Sequence, residues 1–321
     1  MLLSEGMLRG AAAKCLCRAY AAGAPPHAAL VLGEEGTGKR TLLNACAQSL
    51  FCEAKDKPCG ACAPCRRFAA RSHPDVHRIE RKKSVGVDEV RDLTAALQIA
   101  PYEGGYKAAI IEDAGAMTPQ AQNCLLKTLE EPPEKTVFLL AAASESKLLS
   151  TILSRCMIVR LSPFSEQKVC DILRAQGAPA ERAAQLAALS GGSVGKALSM
   201  LHDESFWQLR TRVDGAMVSV RGAATVLGAL NALKDDKAEA AAVCDLLEST
   251  LSEALRRTAG AGYPDASGWA AALARADRAS LARLLSDVAS LRRMLAANVP
   301  WHAALERFLF RYSEEQKKWQ S

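Results

Sequence analysis

Aromatic side chains are scarce in this sequence of 321 residues and make up only 5% of it. The cores of β-sandwiches rely on aromatic and β-branched residues, so this scarcity, together with abundant alanine, favours helices. Long apolar runs are absent as well: no stretch of about 18 apolar residues lacks a charge, and we expect no membrane-spanning helix. Residues 1–9 carry Glu5 and no extended apolar core, so no secretory signal is expected. These absences predict a cytoplasmic protein.

The sequence also lacks a large excess of charge of one sign. Its 41 lysine and arginine residues face 35 aspartate and glutamate residues, which gives a formal net charge of +6. The longest basic run is Arg81-Lys82-Lys83, which is short enough to be a solvated loop. The charge pattern therefore allows contact with nucleic acid but does not argue for it.

The first half of the sequence contains short apolar segments that alternate with helical patterns. This alternation predicts an α/β domain in which helices cover both faces of a parallel sheet. After Pro163 the strand signals stop, and only helical periodicity follows. We therefore expect an α/β domain over residues 1–162, a small helical unit over 163–203 and an all-helical domain over 206–321. The predicted strands are residues 28–32, 76–80, 108–111, 137–141 and 157–159.

The first predicted strand runs into a glycine-rich turn that opens a helix. This turn matches G-x-x-x-x-G-K, the phosphate loop of nucleotide-binding proteins. The glycines of such a loop let backbone N–H groups surround a phosphate, while the helix N-terminus and the lysine add positive charge. The candidate nucleotide-binding residues here are Gly33, Gly36, Gly38 and Lys39.

Two positions of this candidate site depart from the pattern of an active ATPase. Arg40 follows Lys39, where a serine or threonine hydroxyl normally binds magnesium. Glu112 and then Asp113 follow the third predicted strand, which reverses the Asp-Glu order that holds magnesium and orients the attacking water. Phosphoryl transfer depends on positioning, so we expect this chain alone to be deficient in ATP hydrolysis. Whether the site binds ATP and magnesium without turnover stays open.

Four cysteines lie close together in the sequence, with six, two and two residues between them. This spacing can close a tetrahedral shell of thiolates around a structural zinc ion. An iron–sulfur cluster is an alternative, although the C-x2-C-x2-C run lacks the C-x3-C-P continuation. A redox disulfide pair and unliganded thiols are also compatible with the spacing. The candidate metal ligands are Cys52, Cys59, Cys62 and Cys65.

Three segments resemble the AAA+ clamp-loader family. They are residues 107–114, residues 121–133 with their Leu-Glu-Glu-Pro-Pro end, and Ser154-Arg155-Cys156. This family includes the gamma/tau and delta-prime subunits of bacterial DNA polymerase III and the subunits of eukaryotic replication factor C. The resemblance implies an AAA+ domain over 1–162 with a zinc module inserted at about 52–72. It also implies a helical lid over 163–203 and a helical collar over 206–321 that assembles a ring.

Within this family, the departures from the ATPase pattern are similar to those of the delta-prime type. Motor subunits carry an arginine in the lid where we align Gly195, and a Thr-Thr pair where residues 141–144 read Ala-Ala-Ala-Ser. The resemblance implies a stator subunit in a hetero-pentamer with gamma/tau and delta subunits. Such a complex loads the sliding clamp onto primed DNA during replication. The resemblance also implies that Arg155 acts in trans, as an arginine finger in the ATP site of a neighbouring subunit.

Two further functions stay open from the sequence alone. The first is an ATP-hydrolysing motor subunit of the gamma/tau type, which an intact hydroxyl at position 40 would have favoured. The second is a free-standing zinc protein that binds nucleic acid, which a concentrated basic stripe would have favoured.

Overall fold

The computed structural model describes residues 10–103, 105–233, 237–258 and 268–320. The chain divides into two compact units. The first comprises Met1–Phe164 and Ser193–Gly195, and the second comprises Ser165–Gly192 and Lys196–Ser321. The first nine residues of the predicted domain 1–162 lie outside the described residues. The predicted boundary between residues 203 and 206 lies within the second unit and stays a prediction.

A parallel sheet of five strands forms the centre of the first unit. The strands are β1 (Ala28–Leu32), β2 (Val76–Ile79), β3 (Lys107–Ile111), β4 (Thr136–Ala142) and β5 (Met157–Arg160). Their order in the sheet is β2-β3-β4-β1-β5. Every residue of β1, β3 and β4 is buried, as expected where helices cover both faces of a parallel sheet. The predicted α/β class is confirmed, and so are all five predicted strands.

Among the described residues of the first unit, six α-helices cover the two faces of this sheet. They are α1 (Gly10–Ala21), α2 (Lys39–Phe51), α3 (Ala63–Ala69), α4 (Val87–Gln98), α5 (Pro119–Glu130) and α6 (Ser150–Leu153). Ala29 and Val31 pack in one core with α1, α2 and α3. Leu30 and Leu32 pack in the other core with α4, α5 and α6. This alternation follows from the period of two along a strand, which sends successive side chains to opposite faces.

The remaining described helices follow the sheet in the sequence. They are α7 (Glu166–Ala175), α8 (Ala180–Leu189), α9 (Val194–Leu201), α10 (Glu204–Ser219), α11 (Ala223–Leu233), α12 (Lys237–Thr258), α13 (Gly268–Ala272), α14 (Arg278–Ala296) and α15 (Trp301–Gln320). A single apolar core runs through α10 to α15, and in it Trp269 Nε1 donates a hydrogen bond to the Tyr312 hydroxyl at 2.9 Å. Within the residues described, no helix combines the length and apolarity needed to cross a membrane.

The strand order determines which loops meet at the edge of the sheet. β1 and β3 are both neighbours of β4, and all three strands run parallel. The loop 33–38 therefore leaves the same edge as Glu112 and Asp113, which follow β3. This carboxyl edge is where open α/β sheets bind ligands. The topology thus brings both departures from the ATPase pattern into one site.

Candidate functional site

The loop after β1 has the backbone conformation of a phosphate loop, but its lysine is bonded to the loop itself. Gly36 and Gly38 have φ values of 77° and 90°, which lie in the left-handed region that favours glycine. The Lys39 ammonium donates hydrogen bonds to the carbonyl oxygens of Gly33 at 2.6 Å and Glu34 at 2.7 Å. Burial lowers the pKa of Lys39. The charge that would hold a phosphate is therefore engaged by backbone oxygens of the same loop.

Arg40 and Glu112, the two predicted departures, form an ion pair with each other. Arg40 Nε lies 3.3 Å from Glu112 Oε2, and the two side chains are 52% and 4% exposed. The second carboxylate oxygen, Oε1, is buried and has no hydrogen-bond partner among the described residues. An active ATPase of this fold uses a carboxylate after the same strand to hold magnesium. Here an arginine cation neutralises the carboxylate instead.

Asp113 takes part in a turn and in a second cluster of charges. Its Oδ1 accepts a hydrogen bond from the backbone N–H of Gly115 at 3.1 Å, which caps a short 3-10 turn. Its Oδ2 lies 4.0 Å from Arg81 Nε. Arg81 also donates to Glu35 at 2.5 Å, and this hydrogen bond lowers the pKa of Glu35. The carboxylates of Asp113 and Glu35 are therefore both near the Arg81 cation.

Residues 193–195 lie directly against the phosphate loop, within the first unit. The Gly195 N–H donates to the Gly36 carbonyl at 3.3 Å. A Cβ atom placed on Gly195 would lie 2.9 Å from Gly36 Cα, and one placed on Gly36 would lie 1.9 Å from Ser193 Oγ. A side chain on Gly195 would thus clash with backbone and one on Gly36 with the Ser193 side chain, so the two segments approach this closely because both positions are glycine. Gly195, which we align with the lid arginine of motor subunits, thus has a packing role here.

Arg155 lies in the turn between α6 and β5, and its guanidinium is held on the surface by its own chain. Nη1 donates to the Thr151 carbonyl at 3.0 Å and to the Ser154 hydroxyl at 3.2 Å. Nη2 lies 2.6 Å from Glu130 Oε1. The Arg155 side chain is 34% exposed, so another molecule can reach it. The role of Arg155 in trans stays a prediction.

Gln122 is a buried residue that the sequence reasoning missed. Its amide nitrogen donates to the carbonyls of Lys147 at 2.9 Å and Met117 at 3.2 Å. Its amide oxygen accepts from the Leu149 N–H at 2.8 Å. This amide therefore ties the start of α5 to the segment that leads into α6 and Arg155. The available signal was a glutamine within an apolar helix pattern, because a side-chain amide that becomes buried needs hydrogen-bond partners.

The four clustered cysteines are brought together by the fold. Their sulfur atoms all lie within 4.8 Å of one another, and the Cys59–Cys65 and Cys62–Cys52 separations are both 4.0 Å. A tetrahedral zinc site with Zn–S bonds of about 2.3 Å requires S–S separations of about 3.8 Å. The donor set therefore fits a metal ion of this kind. Cys52 and Cys65 are buried, and the remaining two ligands are half-buried.

The surroundings of Cys59 and Cys65 shift the pKa values of their thiols in opposite directions. The backbone N–H groups of Cys62 and Ala61 both donate to Cys59 Sγ at 3.4 Å and lower the pKa of Cys59 to about 6. Burial raises the pKa of Cys65 to about 12. A divalent cation allows both to be held as thiolates, because metal binding displaces the thiol protons.

Relatives of known identity cover most of this chain. The delta-prime subunit of DNA polymerase III from Escherichia coli strain K12 is 34% identical over 290 residues, which are 87% of this chain and 86% of the relative. The Haemophilus influenzae delta-prime subunit is 41% identical over 155 residues, which are 47% of each chain. The tau subunit of Bacillus subtilis is 33% identical over 243 residues, which are 72% of this chain and 42% of that subunit.

A family profile and a solved structure were also matched. The profile described as "DNA polymerase III, delta subunit" matches residues 9–165. A gamma-subunit-related protein of DNA polymerase III from Thermotoga maritima covers 95% of this chain and 99% of its own, at 19% identity and a TM-score of 0.47. The match to the Escherichia coli subunit extends over nearly the full length of both proteins. The chain belongs to the family of DNA polymerase III delta-prime subunits.

Proposed function

We propose that this chain is the stator subunit of a cytoplasmic clamp loader that completes an ATP site on a neighbouring subunit. Its partners are gamma/tau and delta subunits in a hetero-pentameric ring. Through that ring it acts on the sliding clamp and on primed DNA during replication. Membership of the delta-prime family supports this assignment, and the AAA+ resemblance of the first unit is consistent with it.

The observation that carries the proposal is the placement of Arg155. The guanidinium is exposed on a short turn and bonded to groups near it in the first unit. A planar arginine fork supplied from outside stabilises the charge that develops on a transferring phosphoryl group. An exposed and oriented arginine is suited to that task.

The chain's own site supports a role without hydrolysis. Arg40 neutralises Glu112, and the Lys39 ammonium is satisfied by its own loop. Gly195, which we align with the lid arginine of motor subunits, packs against Gly36 of the loop. A magnesium ion would have to displace the Arg40 cation before it could reach Glu112. These contacts favour a stator over a motor subunit of the gamma/tau type.

We also propose that the cysteine cluster holds a structural zinc ion. All four ligands are sulfur, and zinc is the usual occupant of a closed tetrahedral thiolate shell. Cys65 lies in α3, and Cys52 directly follows α2, so the ion would fasten these two helices together. The zinc would contribute to folding and take no part in chemistry.

Two measurements on purified protein test the proposal. The isolated chain should show no ATP turnover above that of a Lys39→Ala variant. It should co-elute in gel filtration with gamma/tau and delta subunits as one complex. Turnover that disappears in the Lys39→Ala variant would favour the motor subunit, and failure to enter any complex would favour a free-standing protein.

A further inference from the structure

Glu130 occupies an unfavourable place for a carboxylate. It is the last residue of α5, where the exposed backbone carbonyls give the helix a partial negative charge. Glu131 follows it and adds a second negative charge at the same helix end. An acidic side chain in that place gains from a nearby cation, and the cation beside Glu130 is Arg155 at 2.6 Å.

Three different groups hold the Arg155 guanidinium. Glu130 contacts Nη2, whereas the Thr151 carbonyl and the Ser154 hydroxyl both accept from Nη1. The two terminal nitrogens are therefore fixed from two directions, which sets the plane of the guanidinium as well as its position. A free arginine side chain samples many rotamers. Fixing it in the one rotamer that contacts the phosphate would therefore cost conformational entropy.

We propose that Glu130 is a positioning residue that orients Arg155 for the ATP site of the neighbouring subunit. This inference rests on the proposed function of Arg155. Glu130 and Arg155 are 47% and 34% exposed, and an ion pair so exposed to water is weak. A triphosphate in a closed interface carries more charge and binds an arginine more strongly. Glu130 can therefore orient the finger without competing for it.

The expected effect of losing Glu130 is a modest fall in the chemical rate. The finger itself remains in Glu130→Gln, so the large loss expected for removal of Arg155 should not occur. One of the three contacts that orient the finger is lost, which should slow hydrolysis at that interface by about threefold to tenfold. Affinity for nucleotide should be unchanged, because the residues that bind it belong to the neighbour.

The experiment compares reconstituted complexes that contain the wild-type chain, Glu130→Gln, Glu130→Asp, Glu131→Gln or Arg155→Ala. Single-turnover ATP hydrolysis is measured on each, together with nucleotide affinity and complex mass. Glu131→Gln is the matched control, because it removes the same charge from the next exposed position. We expect a threefold to tenfold slower phase in Glu130→Gln, an intermediate rate in Glu130→Asp and the wild-type rate in Glu131→Gln. The difference between wild type and Glu130→Gln should shrink at high salt, which screens the ion pair.

The outcomes test the positioning role of Glu130 separately from the role of Arg155 in trans. If Arg155→Ala is slow but Glu130→Gln reacts at the wild-type rate or faster, Glu130 does not position the finger, although the arginine finger stands. If Glu130→Gln instead fails to assemble, or slows no more than Glu131→Gln does, Glu130 has only a structural or general charge effect and the inference is wrong. If Arg155→Ala itself reacts at the wild-type rate, both the proposed function and this inference are overturned.

Discussion

Arg40 Nε lies 3.3 Å from the buried Oε2 of Glu112, so the two residues that depart most clearly from the ATPase pattern compensate each other. If only one of the two residues were present, its charge would lack the ion pair that Arg40 and Glu112 now form. Without Arg40, the buried Glu112 carboxylate would lose its ion pair and keep only the more general attraction of Arg78. The pair is therefore one structural feature, and its two halves should be coupled energetically.

A double-mutant cycle on this pair tests the coupling. Arg40→Ala removes the ion pair of the buried Glu112 carboxylate, which should lower the free energy of unfolding by about 1–2 kcal/mol, since Arg40 is half exposed and Arg78 still attracts Glu112. Arg40→Ala combined with Glu112→Gln should recover most of that loss, because the buried side chain at position 112 is then neutral. Urea unfolding of the two single variants and the double variant measures the effect. Strictly additive changes would show that the pair is not coupled.

The contact between Gly195 and Gly36 predicts that alanine at position 195 destabilises the protein, although alanine normally stabilises a helix. Gly195→Ala should lower the thermal unfolding temperature, because the new Cβ would lie 2.9 Å from the Gly36 backbone. Gly215→Ala is the matched control, since Gly215 is also helical but has no atom within 4 Å of its Cβ position. That control should raise stability by about 0.5–1 kcal/mol, as alanine does in helices. Equal stabilisation by both substitutions would rule out the close approach.

Metal analysis tests the cysteine cluster. Purified protein should contain about one zinc ion per chain, and Cys62→Ser should lose the metal and lower the unfolding temperature. Cys15→Ser is the control, because Cys15 is exposed and lies outside the cluster. Iron with visible absorbance, or a metal-free reduced protein of unchanged stability, would contradict the zinc proposal.

Glu315 predicts a pH dependence of stability in the helical C-terminal region. Arg283 on α14 forms two hydrogen bonds with its carboxylate, at 2.9 Å and 3.1 Å, and these lower the pKa of Glu315 to about 2. A depressed carboxylate pKa stabilises the fold above its ordinary value of about 4.3 and loses that stabilisation as pH falls toward 2. Glu315→Gln should therefore lower the free energy of unfolding by about 1–2 kcal/mol at pH 7 and by roughly half as much near pH 3.

Unfolding curves from pH 3 to pH 7 measure this difference. Glu314→Gln, at the exposed neighbouring position, is the control variant. If the effect of Glu315→Gln were the same at pH 3 and pH 7, the carboxylate would not be the group that Arg283 stabilises.

Local patterns in the sequence predicted much of the fold. The apolar segment that forms β1 is followed by a glycine-rich turn, and both elements can be predicted from residues that are neighbours in the sequence. The same holds for the start of α5, where the Thr118 hydroxyl accepts from the Ala121 N–H at 3.2 Å, because a threonine followed by proline is a local signal for a helix N-terminus. The cysteine spacing predicted a metal-binding cluster, because four ligands within 14 residues can meet whatever surrounds them.

Contacts between distant parts of the chain could not be predicted in this way. The sequence marked Arg40 and Glu112 separately as departures, but their ion pair depends on β1 and β3 both lying beside β4. The Glu130–Arg155 pair depends likewise on where α5 ends relative to α6. The approach of Gly195 to Gly36 spans more than 150 residues, and nothing local signals it. Side-chain partners of this kind follow from the assembled fold.

The most direct test of the proposed mechanism is single-turnover ATP hydrolysis by a reconstituted clamp loader that contains Arg155→Ala. The variant should fold, retain its metal and assemble normally, because the contacts of Arg155 lie at the surface. Hydrolysis at the site that receives Arg155 should fall by about a thousandfold or more, and Arg155→Lys should restore little, since an ammonium cannot reproduce the planar fork. Hydrolysis and clamp loading at the wild-type rate in the Arg155→Ala complex would contradict the proposed role in trans.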